Sequence, residues 1–433
     1  MRFRSHAFIL LLTSASIIAA CQKEDSIIPS GNTPEKEEGE YKGLIPQSLD
    51  QLPKLFINTP GAKGVSSNKT VWTELCTIQI KAKSGGKETV VFDEDSLKIR
   101  GRGNTTWKNY PKKPYRFTLE HKANLIGSGQ TKKWVLLANW MDRTLLRNVV
   151  AFEAARRSSI EWTPSGTFVE FYLDGAHQGN YWLGEKINVE QGNFLADYLF
   201  EFDTSDNLTG DFQSSRGVWK KSKDGGIPVN IKYPDMDDEK DPSATKKAAK
   251  AALDAIEAKI FDSGKWEEAI DKDSFIDWLL VHELCMNREP NHPKSCFFYI
   301  RDGKLHAGPV WDFDWGTFPP PGNRMGTFLN TGALYFPQLL TYPAFRQSVK
   351  LRWKALKPQF QSLESFIDRQ AAWISESEQV NHNMWPCYPN PLSEDGSGMI
   401  NYDENLSFQE AVDGLKKSLK ARIQGLDNLI NKL

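Results

Sequence analysis

The hydrophobic positions of this chain follow two different periods, one in each half. In the first half, apolar residues alternate with polar ones over short runs rich in β-branched and aromatic side chains, at 55–58, 76–80, 89–92, 97–100, 113–119 and 134–137. Gly, Ser and Asp separate these runs, which is typical of short strands joined by turns. The pattern predicts an antiparallel sheet in a folded part that begins near Leu52.

Two further pairs of runs are joined by turns that favour hairpins. Asp174-Gly175 follows the run 167–173 and precedes the run 180–186, and Asp302-Gly303 joins 295–301 to 304–310. Asp-Gly between two β-rich runs is a strong local hairpin signal, because both residues tolerate positive φ. We therefore expect two more antiparallel strand pairs.

Longer segments have apolar residues at every third or fourth position, which predicts amphipathic helices. They lie at 143–157, 244–261, 274–287, 345–378 and 408–433. Asp142 stands where an N-cap of the first helix is expected. A polar insertion ends near residues 241–242, after which helices dominate. Together the two periods predict an α+β fold, with antiparallel sheets in the N-terminal half and a helix-rich C-terminal part.

The first 51 residues differ from the rest. A basic start is followed by an apolar stretch at 7–20 that is too short to span a membrane comfortably, and then by Ile-Ala-Ala-Cys at 18–21. This resembles a bacterial lipobox, in which Cys21 is lipidated, and residues 22–26 resemble the acidic export tag of Bacteroidetes surface lipoproteins. We expect a signal peptide at 1–21, a solvated tether at 22–51, a folded domain at 52–433, and a lipid anchor to the outer membrane or cell surface.

Charge and cysteine content exclude some classes of function. Lys plus Arg number 54 against 55 Asp plus Glu, a net charge of −1, so the whole chain has no general attraction to nucleic acid. Cys76, Cys285, Cys296 and Cys387 form no CxxC pair, which argues against a zinc cluster. Buried free thiols are the expected state of these four residues.

An acidic pair lies just past the second predicted hairpin. Asp312 and Asp314 alternate with the aromatic residues Trp311, Phe313 and Trp315. Carboxylates among aromatics are costly to bury without a metal, a basic partner or several hydrogen bonds. The pair is therefore a candidate cation site. An acidic turn capped by its own backbone amides is the alternative reading.

A basic glycine-rich segment lies at 100–116. Closely spaced glycines allow backbone amides to approach an anion, and five cations supply positive charge; they are Arg100, Arg102, Lys112, Lys113 and Arg116. The segment is a candidate phosphate cradle, with a plain β-turn as the alternative. Carboxylates that could pair with these cations are Glu185, Glu201 and Asp203. A Lys113–Glu185 pair is our candidate, and an ordinary surface ion pair remains open.

The order of these motifs carries a resemblance. Residues 101–107 and 111–116, then 140–142 and 146–148, then 309–314 together resemble the CotH kinase family, from about Leu52 to the C-terminus. The resemblance implies an atypical protein-kinase-like fold. It also implies transfer of the ATP γ-phosphate to serine residues of a protein partner, with magnesium. No nucleic acid is implied.

The resemblance also implies roles for individual residues. Arg102, Lys113 and Arg116, with Glu185, would bind ATP, and Asp312 and Asp314 would hold magnesium.

The loop that would orient the acceptor hydroxyl contains Asn287, Glu289 and Asn291. Active family members resemble Asn-x-Asp there, whereas this chain has Asn287-Arg288-Glu289, so an enzyme impaired at Glu289 is one expectation. The alternative is a non-catalytic surface lipoprotein, either a pseudokinase-like scaffold or a module that binds glycans or proteins through some of its fourteen tryptophans.

Overall fold

The computed structural model describes residues 43–189, 194–204, 210–219, 226–387 and 401–433. The predicted signal segment, Cys21 and residues 22–42 of the predicted tether lie outside these residues. The last part of that tether, 43–51, packs on the fold, because Ile45 is buried and its N–H donates to the carbonyl of Leu125 at 2.9 Å.

Seven strands close into a barrel in the order β1-β2-β3-β4-β5-β7-β6. All neighbouring strands are antiparallel except β1 and β6, which are parallel. The strands are β1 (Lys54–Asn58), β2 (Thr73–Ser84), β3 (Lys87–Gly101), β4 (Tyr115–Ala123), β5 (Thr131–Leu137), β6 (Gly166–Leu173) and β7 (Ala176–Glu185). Helix α1 (Thr105–Asn109) follows β3, and α2 (Arg147–Arg156) follows β5. Alternate side chains such as Leu55, Ile78 and Phe117 fill the interior.

Two local predictions need correction. The runs 89–92 and 97–100 are one continuous strand, β3, because the acidic residues between them stay paired with β2, as Asp93 is opposite Gln79. Asp142 is not the N-cap of α2, which begins five residues later at Arg147. Its carboxylate nevertheless accepts the N–H of Arg147 at 2.7 Å, so it satisfies one free donor of the helix end.

A second sheet has the order β12-β11-β8-β10-β9 and is antiparallel throughout. Its strands are β8 (Tyr198–Phe202), β9 (Phe212–Gln213), β10 (Pro228–Tyr233), β11 (Cys296–Arg301) and β12 (Lys304–Ala307). The predicted Asp302-Gly303 hairpin joins β11 to β12, with Arg301 paired to Lys304. The sheet's central strand, β8, lies between β10, which ends at Tyr233, and β11, which begins only at Cys296.

Helices cover this sheet and complete the core. They are α3 (Pro242–Phe261), α4 (Trp266–Ala269), α5 (Lys272–Cys285), α6 (Phe336–Leu339), α7 (Pro343–Gln361), α8 (Leu363–Met384) and α9 (Phe408–Ile430). The predicted helix 345–378 is two helices, which meet at Ser362. From Ser274 to its end, α5 is buried, and Trp278 on it stacks in a core with Phe298 and Phe336. The loop that contains Asn287 begins directly after this central helix.

The described residues confirm the α+β prediction and the expected thiol state. Antiparallel sheets occupy the N-terminal half and helices the C-terminal part. Cys76, Cys285, Cys296 and Cys387 are all buried and free. Among the described helices, none combines the length and the apolar character needed to cross a membrane.

Candidate functional site

The acidic pair lies on a turn that follows β12 and is held by side chains from three other parts of the chain. Asp312 has a left-handed backbone conformation, with φ of 69°. Its carbonyl accepts the side-chain N–H of Asn287 at 3.1 Å, and the N–H of Phe313 donates to Asn148 on α2 at 2.8 Å. On the other side, Asn401 Nδ2 donates to the carbonyl of Asp314 at 3.0 Å. The turn is thus fixed by its backbone, which leaves the carboxylates available.

The two carboxylates repel each other. Burial, followed by the nearby charge of Asp312, raises the pKa of Asp314 to about 8. Asp142 adds a smaller repulsion, although it is itself paired with Arg147. Asp312 Oδ2 accepts a hydrogen bond from Ser295 Oγ at 3.2 Å. This is an arrangement that gains from a bound cation, because adding positive charge removes the repulsion.

Arg102 brings the glycine-rich segment to the acidic pair. Its guanidinium lies over the ring of Trp311, 5.5 Å from the ring centroid. Burial lowers the pKa of Arg102, and the charges of Asp312 and Asp314 raise it in part. The barrel and the turn after β12 therefore meet at this side chain.

Glu289 lies in a short 3-10 turn, Glu289–Asn291, beyond the end of α5. Met286 ends α5 in a left-handed conformation, and Asn287 Oδ1 then accepts the N–H of Glu289 at 3.0 Å. The Glu289 carboxyl is buried, and its Oε2 has no hydrogen-bond partner among the described residues; His292 Nε2 lies 3.8 Å away. Burial first, and then Asp312, raises the pKa of Glu289 well above its usual value.

Asn291 and Asn287 support this loop. Asn291 Nδ2 donates to Asn330 Oδ1 at 3.1 Å, and Asn330 Nδ2 donates to the carbonyl of Asn287 at 2.9 Å. These contacts hold the loop in place. The side chain of Asn291 therefore supports the loop, and the loop's ionisable group is the carboxyl of Glu289.

Glu201, on the central strand of the second sheet, interacts electrostatically with Asp312 of the acidic pair and with Lys232. Its carboxylate pairs with Lys232 at 2.5 Å. Burial raises the pKa of Glu201; Lys232 lowers it, and Asp203 and Asp312 raise it. Lys186 lies close enough to be influenced by the same group. Its pKa falls to about 8, mainly through burial and then through neighbouring lysines.

The structure does not bring Lys113 to Glu185, so that predicted pair is wrong. Lys113 Nζ donates to the carbonyl of Trp107 at 2.7 Å, on its own segment. Glu185 accepts hydrogen bonds from Ser128 Oγ at 2.7 Å and from the N–H of Ser165 at 3.1 Å, near the far end of α2.

Arg116 also lies away from the acidic pair. It stacks over Trp72, 5.3 Å from the ring centroid, beside Arg100 at 4.4 Å from the same ring. Arg100 and Arg116 are directly opposite each other in the β3–β4 register. The five cations of the basic segment are therefore divided between separate places, and Arg102 is the one whose pKa responds to Asp312 and Asp314.

Lys112 has a different environment from the other four cations. It is fully buried, and its amine donates to the carbonyls of Ala138, at 2.9 Å, and Asn180. The amine also lies 4.3 Å from the ring centroid of Tyr181. Burial lowers the pKa of Lys112 well below its usual value. Its contacts join β7 to the segment after β5, next to the site.

Sequence reasoning missed four residues of the site. Ser295, Asn148 and Asn401 contact the acidic turn, and Lys186 lies near Glu201. Asn148 had a usable signal, since an amide on an otherwise apolar helix face needs a partner when buried. Ser295, Asn401 and Lys186 stand in ordinary polar contexts, and only the tertiary fold brings them together.

The comparison with protein families agrees with the motifs. The profile of the CotH kinase protein family matches residues 99–426, which include the glycine-rich segment, the Glu289 loop and the acidic pair. No curated protein matches the chain. Since the family profile spans most of the described fold, the chain belongs to the CotH kinase protein family.

Proposed function

We propose that this protein is a kinase that transfers the γ-phosphate of ATP to serine residues of a protein partner in a magnesium-dependent reaction. The proposal rests on one observation. The guanidinium of Arg102 lies over the ring of Trp311, where the charges of Asp312 and Asp314 act on it. A cation for phosphate and two carboxylates for a metal are the parts that phosphoryl transfer needs at one place. On this proposal the barrel and the helical part form a protein-kinase-like fold.

The residues present fit a magnesium ion. Burial and then repulsion from Asp312 raise the pKa of Asp314 to about 8, and a divalent cation would relieve that repulsion. Within the described residues, no three His, Cys, Asp or Glu side chains converge as a metal group. Magnesium does not require three, because it is usually held by one or two carboxylates with water and phosphate oxygens. When bound, it would neutralise charge on the phosphates.

On this proposal, two cations contact the nucleotide. Arg102 is placed to contact phosphate oxygens beside the acidic pair. Lys186, with its pKa of about 8 near Glu201, is the lysine we assign to the nucleotide in place of Lys113. A lysine with a lowered pKa gains charge next to phosphate, since the anion favours the protonated form.

The Glu289 carboxyl is the group that we assign to accept the proton of the serine hydroxyl. It is buried, lacks a hydrogen-bond partner among the described residues and belongs to the loop that Asn287 fixes to Asp312. A positioned general base contributes about 10²–10⁴ to a rate. Glu289 is thus the proposed catalytic base, held by Asn287 as a positioning residue.

A transfer assay with labelled ATP and a serine-rich acceptor such as casein tests the proposal. We expect Asp314→Asn to abolish transfer and magnesium-dependent ATP binding. Glu289→Gln should keep ATP binding and lower transfer by about 10²-fold or more. Asp302→Asn, in the exposed hairpin turn, is the matched control and should behave as the parent. If calorimetry detects neither ATP nor magnesium binding at millimolar concentrations, the proposal fails; equal transfer by Glu289→Gln removes Glu289 as the base.

We also propose that Cys21 carries a lipid and anchors the protein to the outer membrane or cell surface, with the folded domain beyond the tether. The support is the lipobox-like sequence at 18–21. Growth with a labelled fatty acid should label the parent protein and not a Cys21→Ser variant. Protease treatment of whole cells, followed by immunoblotting, distinguishes a surface location from a periplasmic one.

A further inference from the structure

Three cations on the outer surface of the barrel gather around one tryptophan, Trp72, which stands directly before β2. The distances from its ring centroid are 5.1 Å to Lys98 Nζ, 4.4 Å to Arg100 Cζ and 5.3 Å to Arg116 Cζ. These four residues, which we call the Trp72 face, are all half-buried, so a ligand can reach part of each. Three positive charges around one ring repel one another, and a bound anion would relieve that repulsion.

The strand register places the three cations on the same side of the sheet. Arg100 on β3 is directly opposite Arg116 on β4, and Lys98 is opposite Thr118. Ile99, between Lys98 and Arg100, is buried in the barrel interior, so its two neighbours point outward. Lys98 and Arg100 are therefore separated by two strand positions, about 6.6 Å along β3.

The Trp72 face has an excess of positive charge. Among the described residues, no carboxylate lies within ion-pair distance of Lys98, Arg100 or Arg116. Burial lowers the pKa of Arg100, and the more distant Asp237 raises it in part. Arg100 Nη1 donates to the carbonyl of Thr70 at 2.8 Å, whereas the side chains of Lys98 and Arg116 donate to none of the described residues. These two side chains can therefore donate to a bound anion.

An acidic segment of the chain itself shows which chemistry this side of the barrel attracts. Residues 235–238, after β10, read Asp-Met-Asp-Asp. Asp235 lies 3.7 Å from Lys133 Nζ on β5, and Asp237 is the carboxylate that acts on Arg100. Two carboxylates on alternate residues thus act on cations of two strands of the same sheet. They leave Lys98 and Arg116 for a second acidic segment.

We propose that the Trp72 face binds an acidic segment of a protein partner, held in an extended conformation with carboxylates on alternate residues. Alternate side chains of an extended chain are about 6.6 Å apart, which equals the spacing of Lys98 and Arg100 along β3. The guanidinium of an arginine that stacks on an aromatic ring can still bind a carboxylate through two parallel N–H donors. This binding requires neither ATP nor magnesium and does not depend on the proposed kinase activity.

Fluorescence anisotropy with the purified protein and labelled octapeptides tests this proposal. In the probe, Asp and Ser alternate; one comparison peptide has Asn in place of every Asp, and an isomer has all its Asp residues at one end. We expect the alternating peptide to bind saturably at millimolar or lower concentrations, the isomer to bind more weakly and the Asn peptide not to bind. Binding should weaken as salt is raised from about 50 mM to about 500 mM, because salt screens exposed charges.

Variants of the barrel surface assign the binding to this face. Lys98→Ala should weaken it about threefold, and Arg116→Glu about tenfold or more, because a reversed charge adds repulsion to the lost attraction. If circular dichroism shows that Arg116→Glu does not fold, Lys98→Ala decides the question. Lys81→Ala is the matched control and should bind as the parent does. Lys81 Nζ also lies over an aromatic ring, 5.2 Å from the centroid of Phe56, but toward the other end of β2 from Trp72.

Several results would overturn the proposal. One is that the alternating peptide does not bind saturably, and another is that the isomer binds as tightly as the alternating peptide. Binding by Lys98→Ala as tight as that of the parent, or a loss in Lys81→Ala as large as that in Lys98→Ala, would place the binding elsewhere. If a heparin fragment binds and the alternating peptide does not displace it, the face takes an anionic polysaccharide instead.

Discussion

The buried ion pair between Glu283 on α5 and Arg422 on α9 allows a quantitative test of how the loop is supported. Both side chains are fully buried, and their closest oxygen and nitrogen are 2.5 Å apart. Arg422 also donates to the carbonyls of Met325 and Thr327, each at 2.8 Å. Glu283 accepts the N–H of Asn330 at 2.6 Å. Asn330 in turn contacts Asn287, so the pair lies behind the Glu289 loop.

Burial dominates the energetics of this pair. It raises the pKa of Glu283 and lowers the pKa of Arg422, so in both cases desolvation outweighs the attraction between the charges. Removing one partner of such a pair costs about 3–5 kcal/mol, because the other charge stays buried. Glu283 keeps its backbone donors, so we expect Arg422→Met to lower the free energy of unfolding by about 3 kcal/mol. The double variant Glu283→Gln/Arg422→Met should recover about 1–2 kcal/mol of this loss.

Urea unfolding followed by circular dichroism and tryptophan fluorescence measures these differences. Lys420→Met, on the same helix, is the matched control. Its pair with Glu364 is exposed, with 65% and 34% of the two side chains accessible, so its loss should cost less than about 1 kcal/mol. A loss below about 1 kcal/mol for Arg422→Met, or a double variant less stable than that single variant, would refute the desolvation argument.

Three further predictions concern the site. Between about pH 4 and pH 8 the folded protein keeps a proton on Asp314 that the unfolded chain has lost, so the stability of the parent falls as pH rises. In EDTA, Asp314→Asn should therefore raise the melting temperature at pH 8 more than at pH 4. Burial lowers the pKa of Lys112 below 10.5, so in this range the unfolded chain binds a proton that the folded protein does not, and stability rises with pH. The melting temperature of the parent should therefore rise relative to that of Lys112→Met from about pH 7 to about pH 9.5. Asn401 bonds the carbonyl of Asp314 and the N–H of Gly316, so Asn401→Ala should weaken magnesium binding about tenfold by calorimetry with little change in circular dichroism.

The strands and hairpins were predictable because their signals are local. Alternating polarity and Asp-Gly turns depend on neighbours in the chain, and the hairpin at Asp302-Gly303 forms as expected. β3 was predicted as two strands because its acidic middle resembles a turn. Those acidic residues remain extended on the barrel surface, where Asp93 finds Gln79 across the strand pair. A cross-strand partner of this kind is set by the tertiary fold, so a local sequence pattern cannot predict it.

The site was predictable where distinctive motifs supplied the contacting residues, and not where register decided the outcome. Arg102 and the acidic pair come from glycine and aromatic motifs with few alternatives. Glu185 and Lys186 are adjacent in sequence, and neighbouring residues at a strand end face opposite sides. Sequence reasoning chose Glu185 for the site, whereas Lys186 is the one influenced by Glu201. A register shift of one residue would exchange the two side chains between the two faces of the strand, so only the folded structure shows which of them points to the site.

The charge balance of the site links the proposed base to the proposed metal. The pKa of Glu289 is raised first by burial and then by Asp312, with Asp314 adding a smaller effect. A protonated Glu289 cannot accept the proton of a serine hydroxyl. A divalent cation held by Asp312 and Asp314 would offset their negative charge and so lower the pKa of Glu289. Burial would still oppose ionisation, so the Glu289 carboxylate would need the acceptor hydroxyl as a hydrogen-bond donor. On the proposed function, Glu289 would therefore act as a base only when metal and acceptor are both in place, and this would protect bound ATP from attack by water.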